Sequence, residues 1–240
     1  MKYVHIVWLT MLPNLIFGQT SIPPQMRAQF TLERLSSSQG LGPSDILYGV
    51  PMASGSVQGD VYLDKKWNKA TLMPKDSEKL LEGYYVKYNL KDKTIEIKTS
   101  TGIKAVASNK IKSMVWIDSV TTLPSYFINA STYRISGTSL TGMLEVLVDA
   151  EYPLFKYHKI EIKEPTYNVA MGSGSKDTRI LKRSVYFTAA NSQLVQIKNI
   201  KNLSAHTSKP EKLEAFIKDQ KLSIKKEKDL IEIITYLNRL

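Results

Sequence analysis

The stretch Tyr84-Tyr-Val-Lys-Tyr-Asn-Leu90, Lys91-Asp92-Lys93, Thr94-Ile-Glu-Ile-Lys98 decides the fold. Its two arms carry β-branched and aromatic residues that alternate with polar ones, and a short polar segment separates them. Alternation with a period of two places one set of side chains on each face of a strand. Two such arms around a short polar turn are typical of a β-hairpin. The stretch therefore predicts a pair of antiparallel strands.

Strand-like runs continue on both sides of this hairpin. They recur at intervals of roughly 8–14 residues without helical periodicity between them, which favours antiparallel pairing over βαβ units. We expect a mainly β protein of the α+β class, with a β domain over residues 57–200 that forms an antiparallel sheet, barrel or roll. The other runs are 57–63, 70–73, 103–107, 113–117, 125–128, 142–148, 154–162, 181–188 and 194–197.

The segment 201–240 changes to a helical period. Ser208-Lys209-Pro210-Glu211 has the form of a capping box, in which Ser208 would begin a helix. Two apolar stripes follow, and their i, i+3, i+4, i+7 spacing predicts two short helices packed on the β domain. The alternative is that the second stripe binds a partner. The first stripe is Leu213, Phe216 and Ile217, and the second is Leu230, Ile233, Ile234, Leu237 and Leu240.

The N-terminus has the order of a secretory signal peptide over residues 1–19. Lys2 supplies a positive charge, an apolar run extends from Val4 to Phe17, and Gly18 and Gln19 end it. An uncleaved interfacial anchor and an element packed on the core are the alternatives. Residues 20–56 are rich in proline, glycine and serine and predict a poorly ordered lead-in. We therefore expect an exported protein of bacterial periplasm or extracellular space.

The charge balance narrows the classes of partner. The chain carries a formal charge of +11, and Lys2 is the only charged residue within the signal, so the mature chain stays near +10. Such a balance favours anionic surfaces, so the candidate partners are an anionic glycan, a lipid headgroup or an envelope protein. Lysines scattered among acidic residues argue against sequence-specific nucleic-acid binding, which prefers clustered arginines. Beyond the signal, no apolar stretch reaches the length of a membrane span, so we expect no transmembrane segment in the mature chain.

Signatures of catalysis are weak. Beyond the signal the histidines are His158 and His206, and they show no metal-binding spacing. The glycine-rich segment 172–178 departs from the phosphate-loop spacing and predicts a hairpin loop. The chain has no cysteine, which excludes disulfides and thiolate chemistry. We predict no cofactor, no metal site and no catalytic residue from these patterns, although a Ser-His-acid triad depends on geometry that spacing does not reveal.

Aromatic residues are the remaining candidates for ligand contact. Tyrosine and tryptophan in strands either pack in the core or line a groove in which they stack on sugars or bases. The candidates for ligand contact are Tyr84, Tyr88, Trp116 and Tyr126.

Several segments resemble a group of uncharacterised exported proteins of Bacteroidetes. These are Tyr88-Asn89 with Thr94–Lys98, Thr141–Leu147 leading to Leu154-Phe155-Lys156, and the ending Ile217–Leu230 with Tyr236-Leu237-Asn238. The likeness covers about Val57 to Leu240, with the C-terminal pattern the most distinctive part. The chain departs from the group at Tyr236-Leu237, where the group has two aromatic residues. The resemblance implies export and a bacterial origin, and it implies no catalytic residue.

Together these patterns favour one function class over another. We expect an exported, non-enzymatic, β-rich protein of the periplasm or cell envelope that binds an envelope component or a partner protein. The alternative is an envelope hydrolase whose site is not recognisable from spacing. A structure that brings His158 or His206 within hydrogen-bond reach of a serine and an acid would favour the alternative.

Overall fold

The computed structural model describes residues 55–168, 171–205 and 207–240. In these ranges thirteen strands and two short 3-10 helices (Ser108–Lys110 and Ala130–Thr132) precede three α-helices. The strands are β1 (Val57–Gln58), β2 (Asn68–Pro74), β3 (Leu81–Asn89), β4 (Thr94–Thr99), β5 (Gly102–Ala107), β6 (Ile111–Ile117), β7 (Pro124–Asn129), β8 (Arg134–Ile135), β9 (Thr138–Ser139), β10 (Met143–Val148), β11 (Leu154–Lys163), β12 (Thr178–Ala190) and β13 (Gln193–Gln196). The helices are α1 (Lys201–Ser204), α2 (Pro210–Asp219) and α3 (Glu227–Leu237).

The strands form one mainly antiparallel sheet. Their order is β5-β4-β3-β2-β6-β7-β10-β11-β12-β13-β8-β9, and β1 pairs with β12 beside this path. Two pairs are parallel, β1 with β12 and β8 with β13. The predicted mainly β fold with short C-terminal helices is confirmed, and the order of strands has two ends, β5 and β9, which selects the open sheet among the predicted shapes.

The hairpin predicted over residues 84–98 is present as β3 and β4. Its register runs from Tyr85 opposite Lys98 to Asn89 opposite Thr94. Within the turn, Asn89 Oδ1 accepts hydrogen bonds from the backbone N–H groups of Lys91 and Asp92. The asparagine side chain therefore satisfies the turn's donors, as Asx turns do.

A first core cluster lies under strands β2, β3, β4 and β6. Tyr88 belongs to it, and its hydroxyl accepts a hydrogen bond of 3.1 Å from the backbone N–H of Met143 in β10. Gly142 has a φ of +100°, and a Cβ there would lie 2.7 Å from the same hydroxyl. The close approach of β3 to β10 therefore requires glycine at this position.

Residues 57–63 link two distant strands of the sheet. Val57 and Gln58 pair with β12. The backbone N–H of Leu63 donates a hydrogen bond to the carbonyl oxygen of Tyr88, and the carbonyl oxygen of Val61 accepts one from the backbone N–H of Leu90. Gly59, at a φ of +96°, passes so close to β12 that a Cβ would lie 2.3 Å from the Ile180 carbonyl oxygen. This segment therefore covers one side of β12.

The helices bury the predicted apolar stripes. Leu230, Ile233, Ile234 and Leu237 of α3 are buried in one cluster with Leu154 of β11, and Leu240 is partly buried there. Leu213 and Ile217 of α2 belong to the same cluster, while the Phe216 ring stacks on Tyr236 at 3.9 Å between centroids. Burial of both stripes removes apolar surface from water and holds the helices on strands β10 to β12.

The predicted capping box at Ser208 is wrong. Helix α2 begins at Pro210, its N-cap is Lys209, and no side chain caps it. Proline is favoured as the first helical residue because it has no N–H to satisfy and its φ is already helical. Pro210 therefore sets the start of the helix one residue later than the serine pattern implied.

Some predictions concern residues outside those described. The predicted signal (1–19), most of the lead-in (20–56) and His206 lie there, so they remain predictions. Among the described residues, no helix combines the length and apolarity needed to cross a membrane. Gly55–Thr166 and Ser175–Leu240 form one compact unit, and the loop Tyr167–Gly174, taken by itself, contains a bridge between Asn168 and Ser173.

Candidate functional site

The four candidate aromatic residues divide into two buried and two exposed. Tyr88 and Trp116 belong to the first core cluster and are 1% and 4% exposed, and burial raises the pKa of the Tyr88 phenol. Tyr84 and Tyr126 are 39% and 42% exposed. A ligand at the protein surface can therefore reach Tyr84 and Tyr126, whereas Tyr88 and Trp116 support the fold.

The strand register places the two exposed tyrosines on opposite faces of the sheet. Ala70 of β2 is the register partner of Tyr84 in β3 and of Trp116 in β6. These three residues therefore share one face of the sheet. Tyr126 lies between Val115 and Val146 on the other face. The structure therefore does not bring Tyr84 and Tyr126 together into one site.

The two faces of strands β7, β10, β11 and β12 carry different sets of side chains. The groove face carries Tyr126, Val146 and Phe155, which are register partners in succession. The helix face carries Leu154, Lys156 and His158 of β11, and α3 packs on it. Successive residues of a strand alternate between these faces.

A depression of about 390 Å³ lies on the groove face. Its floor comes from β7, β10, β11 and β12, and the Tyr133 ring packs on Phe155 at 5.1 Å between centroids. Asp149 and Glu151 stand at its rim, and burial together with the charge of Asp149 raises the pKa of Tyr133. This part of the face is therefore aromatic at its base and acidic at its edge.

A second depression, of about 360 Å³, shares Tyr126, Ile128 and Tyr133 with the first. Lys75 and Lys112 line its other end, and the Lys75 ammonium donates a hydrogen bond of 3.0 Å to the Ser131 hydroxyl. The two depressions therefore form one surface groove, which we call the Tyr126 groove. Its middle is aromatic, one end is basic and the other is acidic.

Only part of this groove was accessible to sequence reasoning. Tyr126 was among the predicted ligand-contact residues, but Lys75 and Lys112 were not distinguished from the many other lysines. They come from β2–β3 and β6, and only the pairing of β2 with β6 brings them to one end of the groove. No spacing in the sequence signals that proximity.

The helix face carries a half-buried polar cluster. The side chains of Glu145 and His158 are each 15% exposed, and Glu145 Oε2 lies 2.7 Å from His158 Nε2. Burial alone would raise the pKa of Glu145, but the hydrogen bond from His158 and the charges of His158 and Lys156 outweigh it and lower the pKa. A carboxylate at this position is therefore held in its charged form.

The same cluster fastens the start of α3. Lys156 Nζ lies 2.7 Å from Glu227 Oε2 and 3.9 Å from Glu145 Oε2. The Tyr186 hydroxyl donates a hydrogen bond of 2.7 Å to Glu227, and burial and the neighbouring carboxylate raise the pKa of this phenol. Each charged group of the cluster has an oppositely charged neighbour, which is what half-buried charges require.

The cluster supplies two of the three groups of a hydrolytic triad. Glu145 orients the His158 ring through Nε2, whereas the acid of the serine-protease triad binds Nδ1 and leaves Nε2 for the nucleophile. Ser184 lies opposite His158 in the neighbouring strand, but within the described residues His158 is hydrogen-bonded to Glu145 and to no serine hydroxyl. The arrangement can bind and orient the imidazole, and as it stands it lacks a hydroxyl poised as nucleophile.

Among the described residues, no group of three histidine or acidic side chains is placed to hold a metal ion. Comparisons with protein-family models, curated proteins and solved structures yield no significant match. The function is therefore argued from the geometry of this chain.

Proposed function

We propose that this chain is an exported, non-enzymatic binding protein of the cell envelope, and that it binds an acidic glycan in the Tyr126 groove. The observation that carries the proposal is the overlap of the two depressions at Tyr126, Ile128 and Tyr133. An exposed tyrosine at the centre of a long groove is a platform on which a sugar ring can stack.

The ends of the groove favour an anionic ligand that binds in one direction. Lys75 and Lys112 lie at one end and would pair with a carboxylate or sulfate of the glycan. Asp149 and Glu151 lie at the other end, where they would accept hydrogen bonds from neutral sugar hydroxyls. The positive formal charge of the chain supports attraction of such a ligand.

The proposal is tested by titrating the protein with an oligosaccharide of uronic acid units and with a neutral oligosaccharide of the same length. Tyr126→Ala should weaken binding of the acidic oligosaccharide about tenfold, because it removes the stacking platform. Lys112→Gln should weaken it less, and more at low salt than at high salt, because exposed charge pairs are screened. Isothermal titration calorimetry measures both effects.

Tyr84→Ala is the matched control. Tyr84 is almost as exposed as Tyr126, but it lies on the opposite face and lines neither depression. Its substitution should leave the affinity unchanged. Equal losses for Tyr84→Ala and Tyr126→Ala, or no binding of either oligosaccharide by the wild-type protein, would refute a glycan site in this groove.

Export of the protein is tested by a separate experiment. Intact mass of the protein from its native host, after fractionation, should lack about the first 18 or 19 residues, as a cleaved signal requires. A full-length mass in the cytosolic fraction would contradict export. It would leave the groove proposal to its own binding test.

A second candidate function, an envelope hydrolase, is favoured by one contact, the 2.7 Å pair of Glu145 and His158. This candidate predicts that His158→Gln abolishes turnover of a generic ester substrate without changing the fold. Activity equal to that of the wild type would leave the pair with the structural role of fastening α3.

A further inference from the structure

The C-terminal half of β11 and the N-terminal half of β12 place cations directly opposite each other. Lys159 pairs with Arg183, and four residues further along Lys163 pairs with Arg179. Partners in an antiparallel register lie on the same face, and residues an even number apart in one strand share that face. The four cations therefore lie together on the groove face, in a part of the hairpin that we call the basic arm (Lys159–Lys163 with Arg179–Arg183).

The basic arm is under-neutralised. All four cations are exposed. Among the described residues two carboxylates lie near them: Glu161, which lies on this face 3.0 Å from Arg183 Nε, and Asp177, whose pKa is lowered by hydrogen bonds from Ser56 and by the charge of Arg179. Arg183, with the charges of Lys163 and Lys159, lowers the pKa of Glu161, so this carboxylate is within electrostatic reach of three cations. Like charges directly opposite in a sheet are destabilising. At these exposed positions water and salt screen the repulsion, so the arm can keep an excess of positive charge that an external anion would neutralise.

The opposite side of the basic arm is already occupied. Lys182 faces that side, where its ammonium lies 3.1 Å from Asp60 Oδ1, and Gly59 lies against Ile180. The segment 57–63 therefore covers one side of the arm, and the four cations project from the other. Pairs four residues apart are about 13 Å from each other along an extended strand. The result is a flat two-by-two array of positive charges.

The chemistry of this array selects among anions. The register positions on this face are Lys159, Glu161 and Lys163 in one strand and Arg179, Leu181 and Arg183 in the other, and none of them is aromatic. The next position on this face, Tyr157, has the Lys93 ammonium over its ring at 4.9 Å. Binding of single-stranded nucleic acid and of sugars relies on stacking against aromatic rings. A layer of phosphate headgroups is itself flat, and all four cations can contact it at once.

We propose that the basic arm is a peripheral membrane-binding surface for anionic lipid headgroups. This surface is separate from the Tyr126 groove, and neither proposal depends on the other. It would hold the chain at a membrane surface through electrostatic attraction alone.

The test is co-sedimentation with vesicles of phosphatidylcholine that contain about 30% phosphatidylglycerol, with pure phosphatidylcholine vesicles as the reference. The variant is Lys159→Gln/Lys163→Gln/Arg179→Gln, which leaves the Glu161–Arg183 pair intact. Each basic residue near an anionic surface contributes about a fivefold change in binding, so the triple variant should bind about a hundredfold more weakly.

A matched control removes the same net charge elsewhere. Lys212, Lys218 and Lys225 are exposed in the C-terminal segment, and within the described part of the chain none of them forms an ion pair. Lys212→Gln/Lys218→Gln/Lys225→Gln should bind anionic vesicles nearly as tightly as the wild type. Equal losses in the two triple variants would overturn the proposal, because they would show attraction by net charge and not by the arm.

Two further readouts complete the test. The arm variant should be as stable to heat as the wild type or more stable, because it removes opposed like charges; a lower melting temperature would overturn the proposal by giving these cations a structural role. Soluble polyphosphate is the second probe. Tight, arm-dependent binding of polyphosphate without binding to anionic vesicles would also overturn it, since a linear polyanion would then be the ligand.

Discussion

Charged side chains on one face of strands β11 and β12 are paired with opposite charges, whereas the other face has an excess of positive charge. On the helix face, Lys156 lies 2.7 Å from Glu227 and His158 lies 2.7 Å from Glu145. On the groove face, Lys159 and Lys163 lie opposite arginines, and Glu161 and Asp177 offset their charge only in part. The same two strands therefore carry a neutralised charge cluster on one side and an excess of positive charge on the other.

Solvent exposure explains the difference. The side chains of Lys156, Glu145 and His158 on the helix face are only 15–18% exposed, and an unpaired charge there would be costly. The arm cations remain in water, where repulsion between them is screened and small. A covered face must therefore neutralise its charges, whereas an exposed face can keep an excess for binding.

The largest expected effect comes from loosening the helices that cover the helix face. Ile233→Ala should lower the free energy of unfolding by about 3 kcal/mol, because Ile233 is completely buried and alanine would leave a cavity. Urea denaturation followed by circular dichroism measures the change. Glu232→Ala, at an exposed position of the same helix, should stay within about 0.5 kcal/mol of the wild type. Equal effects would mean that α3 does not pack as described.

An effect of intermediate size on stability is expected from removing a lysine charge, and it should differ between the two faces. Lys156→Met should cost about 2 kcal/mol, because it leaves the carboxylates of Glu145 and Glu227 facing each other without their shared ammonium. Lys159→Met, three residues along the same strand and on the other face, should cost nothing measurable or be slightly stabilising. The same denaturation experiment compares the two, and similar losses would contradict the contrast between the faces.

The smallest effect is the pH dependence on the helix face. The pKa of Glu145 is lowered in the folded protein, so its stabilising contribution is present above about pH 4.5 and is lost as pH falls through the lower folded pKa. Glu145→Gln lacks this contribution. The stability difference between wild type and variant should therefore be largest near pH 7 and should shrink toward pH 3.

Denaturation at several pH values measures that difference. Glu161→Gln is the comparison on the groove face, because the pKa of Glu161 is also lowered, by Arg183, but at an exposed site. Its difference from the wild type should be smaller and should fade in high salt. A constant difference for Glu145→Gln across this pH range would show that its carboxylate does not gain from His158 and Lys156.

Local patterns were sufficient to predict the longer strands and the two longer helices, but not the short elements β8, β9 and α1. The alternation in Tyr84–Lys98 predicted β3 and β4, and the stripe from Leu230 to Leu237 predicted the buried side of α3. Both signals come from neighbours in sequence. The start of α2 was mispredicted because Ser208 and Pro210 give competing signals, and the proline determined the N-cap.

The candidate sites depended on partners far apart in the sequence. An alternating pattern shows that a strand has two faces, but the face on which a given residue lies relative to another strand depends on the register between them. Thus Tyr84 and Tyr126 looked equivalent in the sequence, whereas the structure places them on opposite faces. The pairing of Lys159 with Arg183 likewise follows from the register of β11 with β12, which the intervening loop does not fix.

The sequence by itself determined that this chain builds antiparallel strands followed by two amphipathic helices, because hydrophobic period and turn residues act over a few neighbours. The tertiary structure decided which face each side chain occupies, that β3 and β10 meet at Tyr88, and that Glu145, His158, Lys156 and Glu227 form one cluster. The longest of these contacts, between Lys156 and Glu227, joins residues 71 positions apart, and only the packing of the sheet and helices sets it.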